Sequence, residues 1–398
     1  MVKVLQIGAS TESGAIGGVE VFLLNYYKNM NHENVHFDFL FCSSNPLDGI
    51  KDDSLKSCNI FALGILKDKK KNIFMYINLI KQIREIIKQG HYDCVHVNSG
   101  GFPLQLCCAI ALKPFSDIVK IAHSHTSGSL KTETGFKSNI KQIGYNASRF
   151  FIRNRYDYYF ACSKLAGIRL FGKEGINSTK FRIINNAIEL KKYEFNKEVR
   201  DKIRIEFGIN SGTTVFGYVG RLSKSKNILF ALDVFGGIIQ HKKDCFFVIV
   251  GDGEEKENLQ NRTKELHIND KVRFLGQRND VPNILQGMDA FIFPSLYEGL
   301  SIVLIEAQAA GLKVYASNTI STEHSITDRV EYIDISVGIK PWVERINNSW
   351  REITKRGNTA LAMEEAGYNV VLAAKELETF YTTNCYKKGN IDKYASRL

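Results

Sequence analysis

No apolar run in the 398-residue sequence approaches the roughly 18 residues that a membrane-crossing helix needs. The eight cysteines form no Cys-x-x-Cys pair and no Cys/His spacing of a zinc site. Most of them stand in apolar runs, where a reduced thiol packs as a small hydrophobe. No G-x-G-x-x-G and no G-K-[ST] occurs, so the dehydrogenase and P-loop ATPase readings lack their phosphate loops. No zinc finger, helix-turn-helix pattern or RNP-like segment is present, which removes nucleic acid from the expected partners. The chain also lacks internal repeats and low-complexity tracts. The first residues, MVKVLQIG, enter a strand directly, so no signal peptide is expected and the expected compartment is the cytoplasm.

What the chain does contain is a regular alternation of short apolar strands and amphipathic helices. In the first half the strands are expected at Val2–Gly8, Val35–Phe41, 93–97, 118–122, 157–162 and 181–185, with helices near 19–30, 73–88 and 103–112. In the second half they are expected at Thr214–Val219, 246–251, 272–275, 289–293 and Lys313–Ser317, with a long helix over 361–381. Strand–helix alternation of this kind predicts an α/β protein with parallel sheets. The length suffices for two domains, with a break near residue 190.

Net charge is +11, and it is unevenly spread. Residues 1–190 carry 24 Lys and Arg against 15 Asp and Glu, whereas residues 191–398 carry 29 against 27. The basic excess therefore belongs to the first half, where it favours an anionic surface or substrate. Residues 137–155 interleave Lys and Arg with Ile, Tyr and Phe. That segment suits a helix lying on an anionic bilayer, and equally a packed helix with a solvated basic face.

The densest chemistry lies in 289–311, DAFIFPSLYEGLSIVLIEAQAAG. A short apolar strand runs into a Pro-led loop. A helix begins near Ser301 and stops at Gly311. Glu298 stands in the loop and Glu306 in the helix, at the carboxyl edge of a parallel sheet where ligands bind. Free amides and the positive end of the helix dipole in its first turn suit a phosphate. Arg221 and Lys226, in GRLSKSKN, occupy the same edge after another strand, and two cations there can neutralise a diphosphate without a metal. His123 and His125, in IAHSHTSG, follow a strand of the first half.

These segments resemble the family 4 retaining glycosyltransferases of GT-B fold, of the bacterial exopolysaccharide and capsule type. The resemblance rests on PSLYEGLSIVLIEAQAAG and GRLSKSKN, on Gly17-Gly18-Val19-Glu20, and on His125 followed by Thr126 and Ser127. Asn185-Asn186-Ala187-Ile188 matches the family's Pro-Asn-Gly-Ile/Val turn without its Pro and Gly. The resemblance implies two Rossmann-like domains facing a cleft, an acceptor domain at 1–190 and a nucleotide-sugar domain at 191–367. A last helix, about 368–398, would cross back onto the first. It further implies that Glu298 contacts the donor sugar and Glu306 the ribose. Arg221, Lys226 and the amides of Gly299, Leu300, Ser301 and Ile302 would hold the diphosphate. Backbone groups at Gln277 and Arg278 would lie against the base, uracil or a related one, Gly17 and Gly18 against both substrates, and His125, with His123 as its rival, near the donor sugar. No cofactor or metal is implied. The implied partners are a nucleotide-sugar donor, a lipid-linked oligosaccharide or glycan acceptor, and an anionic membrane surface on its inner face. The competing readings are a nucleotide-sugar epimerase of the same fold and a non-catalytic glycan- or lipid-binding protein.

Overall fold

The computed structural model describes residues 1–8, 18–42, 53–64, 73–126, 136–298, 300–353 and 355–395. The chain divides into two units, Met1–Ala187 with Val370–Leu398, and Ile188–Asn369. In the first unit the strands are β1 (Val2–Gly8), β2 (Val35–Phe41), β3 (Ile60–Ala62), β4 (Cys94–Asn98), β5 (Val119–Ser124), β6 (Tyr158–Ala161) and β7 (Phe181–Ile183). They form one parallel sheet in the order β3-β2-β1-β4-β5-β6-β7. The central strands are buried along nearly their whole length because helices cover both faces, which leaves no side to face water. In β1 only Lys3 escapes full burial.

The second unit repeats the plan with β8 (Thr214–Val219), β9 (Cys245–Val250), β10 (Val272–Phe274), β11 (Ala290–Phe293), β12 (Lys313–Ser317) and β13 (Val330–Ile333). Their order is β10-β9-β8-β11-β12-β13, again all parallel. In each sheet the chain first adds strands to one side and then jumps to the other. The switch points fall between β1 and β4 and between β8 and β11. Loops leaving the carboxyl ends of two such strands diverge and open a crevice. Two Rossmann-like parallel-sheet units match the architecture expected from the sequence.

The helix expected over 361–381 is instead two, Ala360–Glu365 and Val370–Ala395. Gly367 separates them at φ 80°. Its amide bonds to Glu364 O at 2.8 Å, and the amide of Tyr368 reaches back to Met363 O at 3.0 Å. This is the left-handed helix ending that glycine supplies without a Cβ clash. The apolar periodicity continues through the break, which is why it escapes a periodicity reading. Beyond it, Val370, Ala374, Leu377, Phe380, Tyr381 and Cys385 are buried in one core with Phe22, Tyr26 and Phe37 of the first unit.

A buried polar knot fixes the start of β11. Asp289 accepts from Arg204 Nη2 at 2.6 Å, from Arg200 Nη2 at 2.5 Å and from the Val215 amide at 2.8 Å. Arg204, only 3% exposed, also donates to the carbonyls of Gly287, Ser211 and Thr213. Removing the carboxylate strands a buried guanidinium, and breaking such a pair costs about 3–5 kcal/mol. Asp289→Ala should therefore lower unfolding stability by that amount in a urea titration. A loss below 1 kcal/mol would show that the knot is not structural.

Candidate active site

The loops leaving β8 and β11 meet through a lysine and a carboxylate. Lys226 ends a short 3-10 turn, Lys224–Lys226, and the next residue, Asn227, turns left-handed at φ 55° before the helix Ile228–His241. Lys226 Nζ donates to Glu298 Oε1 at 2.6 Å and Oε2 at 2.7 Å. The Glu298 side chain is 9% exposed and that of Lys226 23%, so the pair sits in a weakly solvated place where a charge-assisted bond is strong. Backbone contacts hold the loops in register: the Leu296 amide donates to Ser225 O at 2.8 Å, and Thr319 Oγ1 donates to Ser295 O at 2.9 Å.

Arg221 occupies the same edge but is held loosely. Its side chain is 68% exposed and reaches Glu254 at 3.3 Å, a pair that solvent screens. Its backbone is firmly placed, because the loop after β9 packs against it without side chains between them. A Cβ on Gly251, at φ 131°, would lie 1.9 Å from Gly220 O. The geometry therefore combines a fixed anchor point with a guanidinium able to swing onto an anion.

The helix Ile302–Ala309 follows, with Ser301 at its N-cap position and Gly311 just past its end at φ 70°. Leu300 and Ser301 thus stand at the open amino end of a helix that begins with Ile302, beside the Lys226–Glu298 pair in sequence and on the same sheet edge. Gly299 lies outside the described residues, as does Gly17; Gly18 is the first residue of the helix Gly18–Lys28. Glu306 is one turn further into its helix. Its Oε1 accepts from Tyr193 Oη at 2.6 Å. Burial pushes the Glu306 carboxyl up and the Tyr193 bond opposes that shift. Tyr193, 6% exposed, has no motif around it, and sequence reasoning missed it.

Beyond β10, Gln277 is exposed, and the guanidinium of Arg278 is engaged within its own unit. Its guanidinium is clamped by Asp280 at 2.8 Å and by Glu206 at 3.0 Å. Both bonds raise its pKa further. The fork is filled within its own unit, so Arg278 stiffens the loop, and the backbone beside it is what the loop presents.

In the first unit His125 belongs to a buried polar chain. Gln6 Nε2 donates to Tyr381 Oη at 3.1 Å, and Tyr381 lies 2.6 Å from His96 Nδ1. His96 Nε2 lies 3.1 Å from His123 Nδ1. With the tyrosine proton given to His96, the imidazole protons of both histidines sit on Nε2. Asn98 spends its amide protons on Gln6 Oε1 and His96 O, so its Oδ1 accepts from His125 Nε2 at 3.1 Å. His123 and His125 stack with ring centres 3.9 Å apart. The structure thus brings both candidate histidines together; His123 is fully buried and His125 partly exposed. Neither Tyr381 nor His96 carried a signal in the sequence, because they converge from distant segments.

Among the described residues no group of three or more His, Cys, Asp and Glu side chains is placed to hold a metal ion, and no helix is long and apolar enough to cross a membrane.

With this geometry in hand, comparison with known proteins narrows the class. Residues 16–192 match the family description "Glycosyltransferase Family 4", and residues 199–370 match "Glycosyl transferases group 1". The chain is 27% identical over 341 residues to the putative glycosyltransferase EpsF of Bacillus subtilis, covering 83% of this chain and 84% of that protein. It is 29% identical over 314 residues to the Escherichia coli UDP-Gal:alpha-D-GlcNAc-diphosphoundecaprenol alpha-1,3-galactosyltransferase, covering 76% of each. Its fold matches that of Anabaena Alr3699/HepE, solved in complex with UDP, at a TM-score of 0.67 and 17% identity over the full length of both chains. The chain is a glycosyltransferase of GT-B fold. Within that class it is related to enzymes of bacterial polysaccharide synthesis: it is 30% identical over 189 residues, 45% of this chain, to the Vi polysaccharide biosynthesis protein VipC/TviE of Salmonella typhi.

The buried histidines make an independent prediction. Burial pushes His96 and His123 well below the usual imidazole range, the neighbouring His125 adding to it, and burial takes His125 down to about 3. A histidine depressed in the folded state contributes stability that is complete above its unfolded pKa near 6.5 and is lost as pH falls below it. Each such histidine should cost about 1.4 kcal/mol per pH unit below that point. The melting temperature should accordingly fall steeply between pH 6.5 and 5. A flat profile over that interval would contradict a neutral, buried histidine chain.

Proposed function

We propose that the chain transfers a sugar from a nucleotide diphosphate, a UDP-sugar, to a lipid-linked or glycan acceptor in cell-surface polysaccharide synthesis, with retention at the anomeric carbon. The observation that carries this reading is the Lys226–Glu298 pair at the switch point of the second unit's sheet, beside Arg221 and the open amino end of the helix Ile302–Ala309. Breaking the glycosidic bond to the nucleotide places negative charge on the departing diphosphate. Lys226, Arg221 and the amides near Leu300, Ser301 and Ile302 supply fixed positive potential there, which stabilises that charge as it develops. Glu298 orients the ammonium and has a second role toward the donor sugar's hydroxyls. Glu306, its carboxylate steadied by Tyr193, accepts from the ribose hydroxyls. The loop of Gln277 and Arg278 meets the base through its backbone. His125, with Gly17 and Gly18, serves the sugar and acceptor side.

No carboxylate is assigned as a covalent nucleophile, which favours attack and departure on one face of the sugar over a glycosyl-enzyme intermediate. The acceptor named for the E. coli relative is a diphosphoundecaprenol-linked sugar, and this supports a lipid-linked acceptor at the inner face of a membrane. The helix Phe136–Arg153 adds support, since it exposes Ile143 and Phe150 beside Arg149.

Lys226→Ala and Glu298→Ala should each lower kcat/KM by about a thousandfold, roughly 4 kcal/mol, in an assay of nucleotide release with a panel of nucleotide sugars and acceptors. A tenfold or smaller loss in folded variants would remove the pair from the chemistry. Donor converted to an isomeric nucleotide sugar with no acceptor present would point to epimerisation instead. Tyr193→Phe should raise the KM for donor while leaving kcat within a factor of three, because the Glu306 carboxylate loses its 2.6 Å donor but keeps its place.

A further inference from the structure

The sheet of the first unit has two edges, and the one opposite its histidines is unusually basic. Lys120 lies near the start of β5 and His125 just past its end. Five residues of extended chain put them about 16 Å apart. Around Lys120 a cavity of about 340 Å³ opens between the ends of β5, the turn after the helix Phe136–Arg153 and the helix Val370–Ala395. Six cations line it: Lys113, Lys120, Arg153, Arg155, Lys180 and Lys388.

Counter-charge is short. Among the described residues Asp157 is the one carboxylate in the lining, with Asp117 acting on Lys120 from beside it, and Asp157 is already engaged: it accepts from Lys388 Nζ at 2.7 Å and from the Lys120 amide at 2.9 Å. Arg153 is paired with Glu174 and donates to Phe171 O at 2.8 Å. Arg155 rests on the ring of Phe151. Among the described residues, the ammonium groups of Lys113, Lys120 and Lys180 have neither a hydrogen bond nor an ion pair. Lys120 is half-buried, and burial followed by repulsion from Lys388 pushes its pKa down, against the attraction of Asp157 and Asp117. A chain does not gain by gathering like charges into a partly desolvated hollow unless an anion joins them.

We propose that this cavity is a binding site for a phosphate-bearing anion, separate from the donor site. The preference for phosphate over a lone carboxylate follows from the number of donors. Three unpaired ammonium groups around one hollow suit an oxyanion with several charged oxygens, and ammonium groups bind phosphate as point charges. The volume accepts an inorganic pyrophosphate or the headgroup of an anionic phospholipid. Both sources present the same chemistry to the same lysines. The proposal does not depend on the donor assigned above, because none of its residues belongs to the donor site.

The test uses the full chain and the pair Lys113→Glu/Lys180→Glu, both exposed positions whose reversal disturbs no contact in the fold. Inorganic pyrophosphate is titrated calorimetrically at low salt in the presence of saturating UDP, which occupies the other candidate anion site. Co-flotation is measured with vesicles of phosphatidylglycerol and of phosphatidylcholine. Pyrophosphate binding that weakens at least tenfold in the variant, without phosphatidylglycerol flotation, supports a free phosphate compound as the ligand. Flotation with phosphatidylglycerol alone, lost in the variant and at high salt, supports the headgroup. Absence of both, or either one unchanged in the variant, overturns the site. UDP binding and melting temperature should match the wild type. Should the reversal perturb folding, Lys113→Gln/Lys180→Gln gives the same comparison with a smaller loss.

Discussion

Everything in the second unit's candidate site depends on one buried-edge ion pair. A lysine after β8 and a glutamate after β11 would repel solvent poorly and wander if either stood alone. Bound two-pronged at 2.6 and 2.7 Å, they tie together the two loops that the sheet topology drives apart. The sheet creates the gap and the pair bridges it. On the function proposed above, a substrate carrying negative charge would meet an ammonium whose position is already set, so little reorganisation would be needed as charge develops. The Asp289 knot serves this arrangement from beneath, since it fixes where β11 begins and therefore where its loop emerges.

The two units use their polar interiors differently. In the second, arginines close on carboxylates and main-chain carbonyls, and the charges remain. In the first, the carboxyl edge of the sheet is lined by neutral imidazoles, amides and a tyrosine hydroxyl linked donor to acceptor. Neutral groups in such a chain can meet sugar hydroxyls without the desolvation that a charge would require. The proposed function would use this difference, with charge for the diphosphate and neutral hydrogen bonds for the carbohydrate.

Much of this was visible in the order of residues. Short apolar runs flanked by Gly-rich or Pro-led loops located most of the strands, because strands buried on both faces admit few polar residues. Arg221, Lys226, Glu298 and Glu306 were legible since each lies in a local pattern read along the chain. Four features were not. Tyr193 reaches Glu306 across 113 positions, and Tyr381 reaches His96 across 285. Neither pairing leaves a trace in local spacing. The saturation of Arg278 by Glu206 and Asp280 needed the tertiary fold to bring the acids in. The Gly367 break was hidden by apolar periodicity running through it, where a single left-handed glycine outweighed an otherwise continuous helical pattern.

That glycine has a consequence for how the protein is made. The helix Val370–Ala395 supplies a wall of the first unit's core, yet 182 residues of the second unit are synthesised before it. At ribosomal speeds of about 5–20 residues per second, the amino-terminal sheet waits some ten to forty seconds with part of its apolar surface uncovered. The later-made unit, contiguous in sequence, can close first. During that interval the face of Phe22, Tyr26 and Phe37 that this helix covers in the finished protein stays without that cover.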